Sequence, residues 1–208
     1  MSTKIKILLK TETKETTLVT EKIKLKPKPQ TILEIPPIIK KKYQSTQYFS
    51  KLLTSQESNT IFQHLIDTIK WNKGVYSSKA GKHTRLAKAL SLSDDAKVKW
   101  AVLESLKRMN LTDYVIYGVY LNFYRDGEDY TPQHKHEDTT QLVISLNEVD
   151  GDRDLTIGKT KYHLGNGDAI IFGGSIHGVP KQPNRKRRIS IATFMKHDPT
   201  LNGKIMYG

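Results

Sequence analysis

Residues 114–124 read YVIYGVYLNFY, and they begin the part of the chain that decides its fold. From here to Met195, short runs rich in β-branched and aromatic residues alternate with turn signals such as RDGED and LGNGD. The later runs are QLVISLN at 141–147, DLTIG at 154–158, TKYHL at 160–164, DAIIFGG at 168–174 and RISIATFM at 188–195. Short strands spaced by about 8 to 12 residues are typical of a β-sandwich or barrel.

The residues before Tyr114 have a helical pattern instead. Thr54 and Glu57 form a capping-box motif, and apolar residues then recur at helical spacing as far as Ile69. A second helix is predicted from about Asp94 to Met109, with acidic residues at its start and basic residues at its end. Helices followed by strands predict an α+β fold, a double-stranded β-helix (jelly roll) with the N-terminal helices packed on one side.

Residues 1–42 differ from the remainder in composition. They are rich in Lys, Ile and Pro and contain no aromatic residue. Prolines at positions 27, 29, 36 and 37 are incompatible with a helix in that part. We therefore predict a basic, extended or disordered arm over residues 1–42 and a compact domain over residues 43–208.

The composition limits both the partners and the metal chemistry. The 208 residues have a formal net charge of +13, which favours polyanionic partners and nucleic acid first. Without cysteine, any metal must be bound by His, Asp or Glu. No apolar run approaches the ~20 residues of a membrane span, and the lysine-interrupted N-terminus shows no secretory signal. These features predict a soluble, intracellular protein, which we expect to be a monomer.

Three segments contain residues suited to a metal site. HKHED at 134–138 has potential ligands at alternate positions, which point to the same side of a strand. The segment GGSIHGVP presents His177 after two glycines that end a buried strand. In the last predicted strand, Arg188 and Ser190 share one side, and an arginine with a nearby hydroxyl suits a carboxylate. Together these residues indicate an iron oxygenase site of the facial-triad type.

In this order, the motifs resemble those of the Fe(II)/2-oxoglutarate-dependent dioxygenase superfamily, and most closely its AlkB-like branch. LNFYRDGEDYTPQHKH, residues 121–136, resembles that branch's Asn-x-Tyr-x-x-Gly stretch leading to the metal histidine. HGVP followed by RISIATF resembles the distal histidine and the Arg-x-Ser strand. The resemblance covers roughly residues 45–197 and is strongest from residue 117 onward.

The resemblance implies Fe(II) and 2-oxoglutarate as cofactors. Asn122 and Tyr124 would contact 2-oxoglutarate, Arg188 would pair with its distal carboxylate with assistance from Ser190, and His177 would be a metal ligand. The chain departs from the AlkB-like pattern in one respect, because Phe194, Met195 and Lys196 occupy the region of that branch's second arginine.

The basic segment at 77–89, SSKAGKHTRLAKA, corresponds to the region that covers the active site and recognises the substrate in the AlkB-like branch. The resemblance therefore makes Lys82, His83 and Arg85 candidates for substrate contact.

The other metal ligands can be assigned in two ways. The direct His-x-Asp pattern gives His136 and Asp138, and we prefer it because a carboxylate lowers the net charge of the iron site and suits Fe(II). Counting from Gly127, as in the family, gives His134 and His136 and an all-histidine triad with His177.

The leading hypothesis is an Fe(II)/2-oxoglutarate-dependent dioxygenase that oxidises a nucleic-acid substrate, by demethylation, with release of succinate and CO2. Two alternatives are a protein side-chain hydroxylase of the same superfamily and a catalytically silent nucleic-acid-binding module.

Overall fold

The computed structural model describes residues 45–72, 76–78, 81–148 and 151–208. The predicted arm at 1–42 lies outside the described residues. In chain order, the described elements are β1 (Gln47–Phe49), α1 (Ser55–Thr68), β2 (Tyr76–Ser78), β3 (Gly81–His83), β4 (Leu86–Leu90), α2 (Ala96–Arg108), β5 (Tyr114–Tyr124), β6 (Thr131–His134), β7 (Thr140–Asn147), β8 (Arg153–Ile157), β9 (Thr160–Leu164), β10 (Ala169–Gly173), β11 (His177–Val179), β12 (Arg188–His197), a 3₁₀ turn (Pro199–Leu201) and β13 (Ile205–Tyr207).

Two sheets form the framework of the described residues. The larger has the strand order β1-β10-β7-β12-β5-β13, and β4 also pairs with β5. The smaller has the order β6-β11-β8-β9. Apolar side chains of both sheets share one buried cluster, so the sheets pack face to face as in a jelly roll. The predicted fold class is therefore confirmed.

The two helices cover the other face of the larger sheet. Ile189 and Ile191 of β12 point into a core shared with α1 and α2, whereas Arg188 and Ser190 alternate with them and belong to the opposite face. This alternation follows from the period of two residues in a strand. One face of β12 thus supplies hydrophobic core, and the other supplies polar groups to the space between the sheets.

A β-bulge interrupts the pairing of β5 with β12. Phe194 pairs with Gly118, and the next residue, Met195, pairs with Ile116. Tyr117 is therefore the extra residue on β5, and both Tyr117 and Gly118 line the space between the sheets.

The helix starts agree with the sequence patterns. The Thr54 side chain accepts a hydrogen bond from the Glu57 backbone amide, and the Glu57 carboxylate accepts one from the Thr54 amide, which completes the predicted capping box. Asp95 caps α2 by accepting from the amides of Lys97 and Val98. Neither of the two α-helices in the described ranges has the length and apolar character that a membrane span requires.

Replacing Thr54 with alanine will lower the free energy of unfolding by about 1 kcal/mol, because it removes the acceptor for an amide at the start of α1. Chemical denaturation measures the change. Thr60→Ala is the matched control, since Thr60 is exposed and, within the described ranges, its hydroxyl donates to the Gln56 carbonyl of the same helix. Alanine has the higher helix propensity, so this control will be neutral or slightly stabilising. An equal loss in both variants would contradict the capping role.

Candidate metal centre and cofactor cavity

A cavity of about 620 Å³ lies between the two sheets. That volume is in the range of small-molecule sites. One wall is the inner face of the larger sheet, where cross-strand neighbours form four successive rows. From one end of the cavity, the rows centred on β12 are Arg188 with Tyr124 and Asn147, Ser190 with Asn122 and Ser145, Ala192 with Tyr120 and Val143, and Phe194 with Gly118 and Gln141.

Three imidazoles meet at the Phe194 end of this wall. His134 ends β6 and is the register partner of His177 at the start of β11. His136 follows two residues later and packs edge-on against Phe194, with ring centroids 4.9 Å apart. One ring nitrogen from each of the three histidines lies within 4.8 Å of the others. This spacing lets all three nitrogens bind a single ion on one face.

Backbone carbonyls orient two of the rings. The Nδ1 atom of His134 lies 3.0 Å from the Pro132 carbonyl, and Nδ1 of His177 lies 2.8 Å from the Ser175 carbonyl. A carbonyl can only accept, so Nδ1 carries the proton in each ring. The Nε2 lone pairs are then free for a metal, and this is the usual arrangement of metal-binding histidines.

The three histidines are held in the neutral form. Burial, reinforced by the neighbouring rings, lowers the pKa of His136 and of His177 to about 4. Burial also lowers the pKa of His134, and the Arg85 guanidinium adds to that effect. At neutral pH each ring therefore keeps a lone pair, which metal binding requires.

Asp138 is not part of this group. It is exposed and lies with Glu137 in a turn, and its φ is +51°. For His136 and Asp138 to present their side chains to one ion, the alternation of a strand would have to continue as far as residue 138. However, β6 ends at His134, so that periodicity does not apply to the residues beyond it. The structure instead brings together the three histidines of the second assignment.

Arg188 lies at the opposite end of the cavity wall from the imidazoles. Its side chain is 1% exposed, and its Nε donates to Ser145 Oγ at 2.8 Å. Both terminal nitrogens are buried and have no hydrogen-bond partner among the described residues. Burial lowers the pKa of Arg188 to about 10, so the group is charged at neutral pH. A buried guanidinium with unpaired N–H groups is suited to an anionic ligand, and a carboxylate matches its planar shape.

Of the remaining predicted cofactor residues, Tyr124 shares the row of Arg188, and Asn122 and Ser190 form the next row toward the imidazoles. Asn122 donates from Nδ2 to Ser190 Oγ at 3.3 Å, so Ser190 contacts Asn122, while Ser145 contacts Arg188. The Tyr124 hydroxyl bonds the Thr131 hydroxyl at 2.9 Å, and its ring centroid lies 5.5 Å from the Arg188 guanidinium carbon. Asn122, Tyr124 and Ser190 all line the cavity.

The predicted substrate residues are only partly described. Arg85 lines the cavity and donates from Nε to Asn122 Oδ1 at 2.6 Å. Lys82 and His83 belong to β3, which pairs with β2, and their side chains lie outside the described residues.

An aromatic wall, which we define as Tyr117, Tyr120 and Phe194, borders the cavity beside His136. The two tyrosines are 51% and 46% exposed, and Tyr120 meets Phe194 edge-on with centroids 5.3 Å apart. Sequence reasoning did not identify these tyrosines. Gly118 was an available signal, because a glycine inside a strand often marks a bulge, and the bulge turns Tyr117 toward the cavity.

The donor set fits an iron-type metal and a dicarboxylate co-substrate. The three imidazoles would hold such a metal through one nitrogen each. Arg188 supplies two unpaired terminal nitrogens six residues before Phe194, the β12 residue that His136 contacts, and at about 3.3 Å per residue the Cα atoms of Arg188 and Phe194 lie about 20 Å apart. The Arg188 side chain shortens that gap for a ligand reaching from the metal.

No family model matches the sequence, and no curated protein is detectably similar to it. Solved structures are similar in fold. They include the viral collagen prolyl hydroxylase of Paramecium bursaria chlorella virus-1 with 2-oxoglutarate (TM-score 0.53, 14% identity, 74% of this chain and 97% of that one). A prolyl hydroxylase from Trichoplax adhaerens, in complex with a hypoxia-inducible-factor peptide fragment, has a TM-score of 0.54 (15% identity, 77% and 88% coverage).

HygX from Streptomyces hygroscopicus, with nickel and 2-oxoglutarate bound, is a third such structure (TM-score 0.57, 9% identity, 79% and 91% coverage). These likenesses establish a common fold with 2-oxoglutarate-binding structures. They do not single out the AlkB-like branch that the sequence motifs indicate.

Proposed function

We propose that the protein is an Fe(II)- and 2-oxoglutarate-dependent dioxygenase. The observation that supports this most directly is the pairing of two features in one cavity. One ring nitrogen from each of three imidazoles converges at one end, and the buried Arg188 offers two unpaired terminal nitrogens toward the other. The likeness in fold to structures that contain 2-oxoglutarate is consistent with it.

In this proposal His134, His136 and His177 hold the metal, and Arg188 holds the distal carboxylate of 2-oxoglutarate. The Arg188 side chain is fixed through Ser145, so its donors are preorganised. Asn122 and Tyr124 border the path between the two ends and orient the co-substrate. When bound, iron and 2-oxoglutarate supply the oxidising chemistry, with succinate and CO2 as co-products. The protein's part is to bind, orient and shield the reactants from water.

Two substrate classes have support. The net charge of +13 and the Asn-x-Tyr-x-x-Gly stretch favour the AlkB-like proposal, oxidation or demethylation of nucleic acid. The likeness to prolyl hydroxylases, one of them with a peptide, favours the second candidate, hydroxylation of a protein side chain. Arg85 and the aromatic wall border the cavity and are the proposed substrate contacts, and Lys82 and His83 remain candidates for that role.

Succinate formation tests the proposal. The protein will convert 2-oxoglutarate to succinate when supplied with Fe(II) and oxygen, and a chelator will stop the reaction. Methylated oligonucleotides and proline-containing peptides, each added separately, will show which class raises the rate and is itself oxidised. No succinate above the chelated control, together with nucleic-acid binding that weakens steeply with salt, would instead support the silent binding module.

A further inference from the structure

Arg85 places a second guanidinium in the cavity. In the proposed function, the three histidines hold the metal and Arg188 holds the distal carboxylate, so Arg85 has no role in either. Its bond to Asn122 places it beside the Ser190 row, between Arg188 and the imidazoles. Its Nη1 is buried and has no hydrogen-bond partner within the described part of the chain. A buried, unpaired donor on a cation is costly unless a ligand supplies the acceptor.

The charged groups of the cavity do not balance one another. Among the described lining residues these are Arg85, Lys135, Glu137 and Arg188. Lys135 and Glu137 lie 3.6 Å apart as an ion pair, which leaves both arginines without a carboxylate in the lining. The imidazole triad adds no negative charge, whereas a carboxylate ligand would offset one charge of a divalent ion.

A bound dianionic co-substrate does not remove this excess. A divalent ion and two guanidinium groups bring more positive charge into the cavity than 2-oxoglutarate neutralises. Uncompensated charge in a partly desolvated site is unfavourable. A further anion close to Arg85 would relieve it, and the substrate is the remaining ligand that the site must admit.

We infer that Arg85 binds an anionic group of the substrate, a carboxylate or a phosphate, while the substrate's apolar portion packs against the aromatic wall. The inference rests on the proposed function and adds the substrate class to it. The glutamine variant Arg85→Gln removes the charge and still offers an N–H to Asn122, so it separates anion binding from the support of Asn122.

Isothermal titration calorimetry provides a test that does not depend on turnover. The protein is loaded with redox-stable Co(II) and 2-oxoglutarate, and their binding is measured first. Benzoate, phenyl phosphate and the neutral analogue benzamide are then titrated separately. We expect at least one anion to bind about tenfold or more tightly than benzamide in the wild type, as one charge-assisted hydrogen bond implies. The stronger of the two anions identifies carboxylate or phosphate as the preferred group.

Arg85→Gln will abolish that preference. Lys135→Gln is the matched control, because it removes a rim charge that is already paired with Glu137, and it will retain the preference. Equal binding of benzamide, no binding of either anion, or an equal loss in both variants would overturn the inference. Failure of Co(II) and 2-oxoglutarate to bind in the first step would instead contradict the proposed function.

Discussion

Replacing His136 with alanine will weaken Fe(II) binding at least about a hundredfold and abolish measurable succinate formation. Removing a residue that only orients a metal ligand typically costs 10- to 100-fold in affinity, so loss of a ligand should cost at least as much. Asp138→Ala will change either quantity by no more than about twofold, as expected for an exposed residue. Metal titration and the succinate assay measure the two effects.

His163→Ala is the control that removes an imidazole from outside the proposed metal site. His163 lies on β9, is largely exposed and pairs with Asp154, and it does not line the cavity. The variant should therefore bind Fe(II) as the wild type does. A second variant, His136→Asp, should retain metal binding, because a carboxylate at this position can replace the imidazole. If Asp138→Ala loses the metal while His134→Ala keeps it, the ligands are His136, Asp138 and His177 instead.

Much of the fold could be predicted because local patterns and tertiary packing agree. The α1 capping box and the charge pattern of α2 specify helix ends through contacts within a few residues. The alternation in β12 reflects a strand whose two faces have different surroundings, hydrophobic core on one side and the cavity on the other. Both kinds of signal are properties of the sequence itself.

The proposed metal ligands were harder to predict because they lie where a regular element ends. Strand periodicity makes positions two apart equivalent, but it holds only as far as His134. Beyond it the chain turns, and the turn directs Asp138 to solvent while His136 packs on Phe194. The sequence patterns also did not predict the contact of Arg188 with Ser145. Which residues of β7 and β12 lie opposite each other depends on all the turns between the two strands, and local patterns do not give this register.

Replacing Arg188 with methionine will stabilise the ligand-free protein by about 1–3 kcal/mol, because a buried charge with unpaired donors is costly and an apolar side chain of similar length is not. For a protein of this size, each kcal/mol should raise Tm by about 2–4 °C. Ser145 Oγ keeps a partner in the variant, since it also donates to Asn147 Oδ1 at 3.2 Å. Thermal unfolding without metal or 2-oxoglutarate measures the gain, and a lower Tm would show that Arg188 is satisfied by its surroundings.

The same variant will lose 2-oxoglutarate binding. Truncating one partner of a buried, hydrogen-bonded charge pair costs about 2–5 kcal/mol, so the affinity for 2-oxoglutarate in the presence of Co(II) should fall at least about 30-fold. Saturating 2-oxoglutarate will raise the Tm of the wild type and leave that of Arg188→Met nearly unchanged, because a ligand stabilises only the protein that binds it. Arg187→Met is the matched control: Arg187 is half exposed and pairs with Glu148, so its loss should leave 2-oxoglutarate affinity intact. Unchanged affinity in Arg188→Met would exclude Arg188 as the carboxylate partner, even if the metal site proves correct.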